Sequence, residues 1–182
     1  MANTVSNYLH INGTDEVQNK IDELFLKAGG YAETNLFVNS FYNTEYESGV
    51  PYEWLYDNVG TKWIYVENEI DMGRWNISSA NYTPKEFWIH LHKLAVEIDP
   101  NVRIEVKYHD EGYEPIGAFI INKDSDKITQ YANVEKYDIT ELLEEDEEGW
   151  GFNYIDVEPY IDECMYDAES IIKTNKGTKI IR

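Results

Sequence analysis

The sequence predicts an α+β fold in which two helices lie on one face of an antiparallel sheet. Three observations carry that expectation. Two segments repeat the same amphipathic helical spacing, one segment alternates strictly between apolar and charged residues, and the elements follow in the order strand, helix, strand, strand, helix, strand. That order is the split βαβ pattern of a ferredoxin-like two-layer sandwich.

Val5 to Asn12 reads as the first strand, closed by Gly13, with Thr14 placed to cap the helix that follows. Val17, Ile21, Leu24, Phe25 and Ala28 share one face of that helix, and Gly29-Gly30 stops it. The second helix begins at Thr83-Pro84, an expected N-cap and first-turn proline, and carries Phe87, Leu91, Leu94, Ala95 and Ile98 on one face before Asp99-Pro100. Further strands are expected at Thr61 to Asn68, Asp71 to Ser79, Val102 to His109 and Pro115 to Asn122. In the third of these, Val102, Ile104, Val106 and Tyr108 alternate with Arg103, Glu105 and Lys107, which gives one buried and one wet face. Gly112 and Pro115 turn it into a hairpin with the next strand.

Residues 31 to 58 form an insert too long for a simple loop, with a short strand expected around Leu36 to Tyr42 and a helical turn from Tyr52 to Asp57. The insert and its flank, residues 31 to 65, hold ten aromatics. Beyond Asn122 the expectation is a strand at Ile128 to Val134, an acidic helical turn at Thr140 to Glu148, and a helix from Pro159 to Lys173 with Ile161, Cys164, Met165, Ala168 and Ile172 on one face. The chain thus divides into a ferredoxin-like domain, residues 1 to 122, and an acidic C-terminal extension, residues 123 to 182, packed on it.

Charge is the most unusual property. The 182 residues include 35 Asp and Glu against 15 Lys and Arg, a net charge of −20, which disfavours direct binding to nucleic acid or anionic membrane. Residues 137 to 172 hold 13 acids and no base. One cysteine, no apolar run of membrane-spanning length and an N-terminus without signal-peptide character predict a cytoplasmic protein.

Three blocks are similar to a family of uncharacterised phage and plasmid proteins with a ferredoxin-like domain. They are the opening Asn3-Thr4-Val5-Ser6-Asn7-Tyr8-Leu9-His10-Ile11-Asn12-Gly13, the Trp-rich turn Trp54-Leu55-Tyr56-Asp57-Asn58-Val59-Gly60-Thr61-Lys62-Trp63, and the stretch from Trp75 through Tyr82-Thr83-Pro84 to Tyr108-His109-Asp110-Glu111-Gly112 and Gly117. The resemblance covers residues 1 to 122 and implies a fold and a phage-like setting, not an activity.

Few residues suggest chemistry. Gly60-Thr61-Lys62 lacks the first glycine of a phosphate loop and continues with Trp63, so a tight turn is expected there. His90 and His92 are two residues apart on a helix, about 200° around it, and cannot share a metal; they read as a rim and a surface histidine. His109-Asp110-Glu111 reads as an exposed turn and Cys164 as a small core residue. No cofactor or metal set is expected, and the leading reading is not an enzyme.

The candidate partner-binding residues are Glu141, Glu144, Glu145, Asp146, Glu147, Glu148, Trp150, Phe152, Tyr154, Asp156 and Glu158. Large aromatics among carboxylates suit an interface anchored against Lys and Arg. The expected function is that of a phage-encoded accessory protein, which binds and blocks a basic surface on a host nucleic-acid-handling or defence protein. The alternative is a small-ligand-binding protein or enzyme that uses the aromatic insert as a pocket.

Overall fold

The computed structural model describes residues 2–29, 34–112, 115–123, 129–136, 157–174 and 179–181. They form an α+β structure of seven strands and five helices: β1 (Thr4–Asn12), α1 (Asp15–Lys27), α2 (Thr34–Tyr42), α3 (Tyr52–Asn58), β2 (Ile64–Asp71), β3 (Arg74–Ala80), α4 (Lys85–Val96), β4 (Arg103–Asp110), β5 (Ile116–Lys123), β6 (Thr129–Lys136), α5 (Glu158–Thr174) and β7 (Lys179–Ile181). The strands make one sheet in the order β2-β3-β1-β4-β5-β6-β7, antiparallel at every pairing.

Alternation sets the two faces of that sheet. In β1, Val5, Asn7, Leu9 and Ile11 are buried on the front, while Ser6, Tyr8 and His10 point to the back. The front carries α1 and α4. Ile21, Phe25, Phe87, Leu91, Val102, Ile104 and Val106 meet in one core, with Leu24 and Leu94 at its margin, as the matched helical spacings require. The back carries α5, which covers only the β5 and β6 half: Ala168 and Ile172 pack on Ile120 and Ala132, and Ile161 packs on Ile116. For that reason Ile116 to Ile121 of β5 are buried on both faces.

Three local expectations are corrected. The segment Leu36 to Tyr42 is part of helix α2, not a strand. Phe37, Val38 and Phe41 are its buried residues, a helical spacing, and packing them against Phe25 and Phe87 outweighs the strand preference of Phe, Val and Tyr. Thr83 does not cap α4, because Pro84 holds the N-cap position and the Thr83 hydroxyl instead accepts the indole N–H of Trp88 at 2.8 Å. Thr14 does sit at the N-cap of α1, yet its hydroxyl bonds no helix amide; Asp99, from the turn after α4, accepts the Thr14 N–H at 2.9 Å. The acidic turn expected at Thr140 to Glu148 lies outside the described residues.

Candidate functional site

Of the candidate partner-binding residues, Glu141, Glu144, Glu145, Asp146, Glu147, Glu148, Trp150, Phe152, Tyr154 and Asp156 lie outside the described residues. Glu158 is described, in the first turn of α5. The helix is amphipathic: Ile161, Cys164, Ala168 and Ile172 go into the sheet, and its acids flank that face. Each of four acids meets a base on the sheet or on the helix itself. Lys107 lies 3.1 Å from Glu158 and 2.6 Å from Asp162, Lys136 pairs with Glu163, and Arg103 reaches Glu169 at 2.9 Å, with Lys173 on its other oxygen at 3.2 Å. Burial alone pulls the Lys107 ammonium down, but the Asp162 and Glu158 hydrogen bonds outweigh it and leave the ammonium raised. Glu169 is lowered, mainly by the Lys173 hydrogen bond.

Among the described residues, none covers the back of the sheet beside α5. Residues that face each other in an antiparallel ladder point the same way, so Tyr8 stands between Asn76 and Lys107, and His10 between Arg74 and Glu105. The groove left there has a volume of about 300 Å³ and is lined by Tyr8, His10, Ile70, Arg74, Glu105 and Met165, among others. A second stretch of about 180 Å³, lined by His109, Val157, Glu158 and Ile161, continues it past Tyr8 and Lys107. The Tyr8 hydroxyl lies 3.3 Å from His109 Nε2, and His10 Nδ1 lies 3.4 Å from Glu105. Glu105 also meets Arg103 Nε at 2.6 Å, an ion pair without hydrogen-bond alignment.

The β2–β3 hairpin brings Ile70 and Arg74 to this groove, and buried contacts fix its position. Gly73 takes a left-handed φ of 70° at the turn, where a Cβ would meet Gln18 and the Ile11 carbonyl at 3.0 and 3.1 Å. The Ile11 N–H donates to the Gly73 carbonyl at 2.8 Å. From α1, buried Asp22 accepts the Gly73 N–H at 3.1 Å and the Trp75 indole N–H at 2.6 Å, so its desolvated carboxylate is matched by two donors. Sequence reasoning missed the groove because its residues come from four distant segments. Only the period-two alternation in β1 and β4 hinted that Tyr8, Lys107 and His109 share a face.

The other candidates are accounted for by packing. His92 is buried, not on the surface; its Nε2 lies 3.2 Å from the Val102 carbonyl, and burial pushes it down to about 4. His90 stacks on Tyr42 at 4.0 Å and contacts the Phe41 carbonyl at 2.9 Å, and burial lowers it too. Cys164 is fully buried, and burial pushes its thiol up to about 11. Gly60, with φ of 87°, turns the chain into β2, and buried Thr61 donates its hydroxyl to the Ala80 carbonyl at 2.7 Å. His109 and Asp110 are the last residues of β4, not an exposed turn: His109 is half-buried beside Tyr8, the buried Asp110 accepts the Gly112 N–H at 2.7 Å, and only Glu111 of the three is exposed. In the insert, Phe37 and Phe41 meet at a tilt within the front core, and Tyr42 and Tyr46 pack edge-on against Trp54. These rings pack on one another, as core residues do.

Among the described residues no group of three His, Cys, Asp or Glu is placed to hold a metal, and no helix is long and apolar enough to cross a membrane. No family model, curated protein or solved structure matches the chain.

Proposed function

We propose that the protein is a non-enzymatic binder of a basic partner protein. Its acidic side, α5 together with the acidic stretch that precedes it in sequence, docks on a lysine- and arginine-rich surface built to hold nucleic acid, and blocks that surface. The observation that carries this reading is the placement of charge. The net charge is −20, and on α5 Glu158, Asp162 and Glu163 remain 67%, 59% and 59% exposed even while paired with the sheet's lysines. Carboxylates so exposed steer a cationic partner and can accept further donors from it.

The core we infer to be ferredoxin-like, supported by the order β2-β3-β1-β4, its antiparallel pairings and the location of α1 and α4 on one face. A phage or plasmid setting in the bacterial cytoplasm follows from the resemblance of residues 1 to 122, and a host nucleic-acid-handling or defence protein is the partner that setting suggests.

The test is a titration of the wild-type protein, and of a variant with Glu144, Glu145, Glu147 and Glu148 all changed to Gln, against the basic protein recovered from host lysate at low but not high salt. The variant should keep its thermal midpoint within a few degrees, because removing like charges relieves self-repulsion. It should bind about tenfold more weakly, about 1.4 kcal/mol. Equal affinity would return the acidic run to solvated surface and defeat the proposal.

A further inference from the structure

We propose that the groove on the back of the sheet binds a small aromatic anion, one flat aromatic ring or base bearing a single phosphate or carboxylate either directly or through a sugar, with the aromatic group against Tyr8 and the anion on Arg74. This site is separate from the acidic side assigned above to a basic partner.

Arg74 decides the sign of the ligand. In a chain of net charge −20, it is an exposed arginine that makes no ion pair among the described residues. The other bases near the groove are already engaged, Lys107 by Glu158 and Asp162, and Arg103 by Glu105 and Glu169. Asp71, opposite Arg74 in the hairpin, turns one oxygen to the Met72 N–H at 2.8 Å. Glu105, the carboxylate in the lining, faces the Arg103 guanidinium at 2.6 Å, which offsets part of its repulsion of an anion. The guanidinium is a planar fork of donors that suits a carboxylate or phosphate better than a point charge does.

The walls decide the shape. Tyr8 is 40% exposed and Ile70 53% exposed, and half-buried Met165 of α5 stands on the other side, so apolar surface faces a slot that the sheet floors. A ring laid on Tyr8 removes this surface from water and gains stacking. The volume of about 300 Å³ is at the lower end of ligand sites, which suits a single aromatic group and its one anionic group. The surrounding negative field argues against a longer polyanion, because each added phosphate gains repulsion with no second unpaired cation in the groove's lining among the described residues.

The test uses the full chain and four probes followed by calorimetry or amide shifts: adenosine 5′-monophosphate, benzoate, adenosine and inorganic phosphate. The expected result is saturable binding of adenosine 5′-monophosphate or benzoate below about 1 mM, with adenosine and phosphate each at least tenfold weaker. The phosphate and carboxylate arms tell the two anion types apart. Arg74→Gln should weaken the winning probe about tenfold, while Tyr8→Leu should abolish its advantage over inorganic phosphate. Shifts should centre on Tyr8, His10 and the β2–β3 hairpin. Both positions are exposed enough that thermal midpoints should hold, and Arg74→Lys, which keeps the charge, controls for fold. No saturation by either ring anion at about 5 mM, equal affinity in Arg74→Gln, or tighter binding of a ten-nucleotide single strand than of the mononucleotide would each overturn the proposal.

Discussion

Gly117 in β5 is the position where the scaffold of the groove is most exposed to a single methyl group. Tyr108, on the neighbouring β4, lies flat across it on the front face; a Cβ at 117 would stand 2.5 Å from both the ring Cζ and the hydroxyl, and 2.6 Å from the Val134 carbonyl. None of these can yield cheaply. The ring is fully buried, its hydroxyl donates to Asn133 at 2.8 Å or Glu135 at 2.7 Å, and the third contact is backbone. Gly117→Ala therefore forces the ring to lift, at about 1 to 3 kcal/mol for overpacking, with about 1 kcal/mol more if the hydroxyl loses its acceptors. We expect a total of about 2 to 4 kcal/mol, read as a lower urea midpoint at unchanged slope. A double-mutant cycle isolates the cause: in a Tyr108→Leu background the same substitution should cost about 1 kcal/mol or less, from the Val134 contact alone. Because Lys107 and His109 flank Tyr108 and point into the back groove, their amide signals should move in Gly117→Ala. An equal cost in both backgrounds, or a Gly117→Ala protein as stable as wild type, would refute the reasoning.

Two further outcomes test the core. Leu91→Ala empties a fully buried site where α4 meets the sheet and should cost about 2 to 5 kcal/mol in chemical unfolding. Burial pushes His92 down from 6.5 to about 4, so the unfolded chain takes up its proton at a pH where the folded chain does not. The stability this gives is complete above about pH 6.5 and is lost as pH falls toward 4, to a limit of about 3 kcal/mol. An NMR titration in which the His92 ring protonates near its ordinary value would contradict this.

The elements that were legible in the sequence are those whose burial is one-sided. β1, β4, α1 and α4 each put one face on the core, so period two or period 3.6 shows through in the residue order, and their expected bounds fall within a few residues of those observed. The segment at Leu36 misled because five of its seven residues, Leu36, Phe37, Val38, Phe41 and Tyr42, are apolar or aromatic, which leaves little contrast between the two periods, and burial against Phe25 and Phe87 made the choice. His92 was misplaced for a related reason. Two residues along from half-buried His90 should be a wet position on a one-faced helix, yet α4 buries Trp88 and His92 as well as Phe87, Leu91 and Ala95, because the chain around Val102 closes over that side.

The groove and the charge pattern were hidden because both depend on pairings between segments far apart in sequence. Residues 137 to 172 contain no base, and a local tally reads their acids as uncompensated. Folding supplies the bases from elsewhere: Arg103 and Lys107 from β4 and Lys136 from β6 sit under the acidic flanks of α5. Each such pair, with its carboxylate more than a third exposed or nearly so, contributes little, on the order of 0 to 1 kcal/mol, so what holds the helix is the apolar contact of Ile161, Cys164, Ala168 and Ile172. What the pairs change is the distribution of charge. They neutralise Lys107, Lys136 and Arg103, and leave Arg74, among the described residues, as the cation facing the groove, on the opposite side of Tyr8 from the acids of α5. The same helix therefore accounts for both surfaces: its outward carboxylates extend the acidic side that would meet a basic partner, and its pairing with β4 and β6 singles out one arginine for an anion.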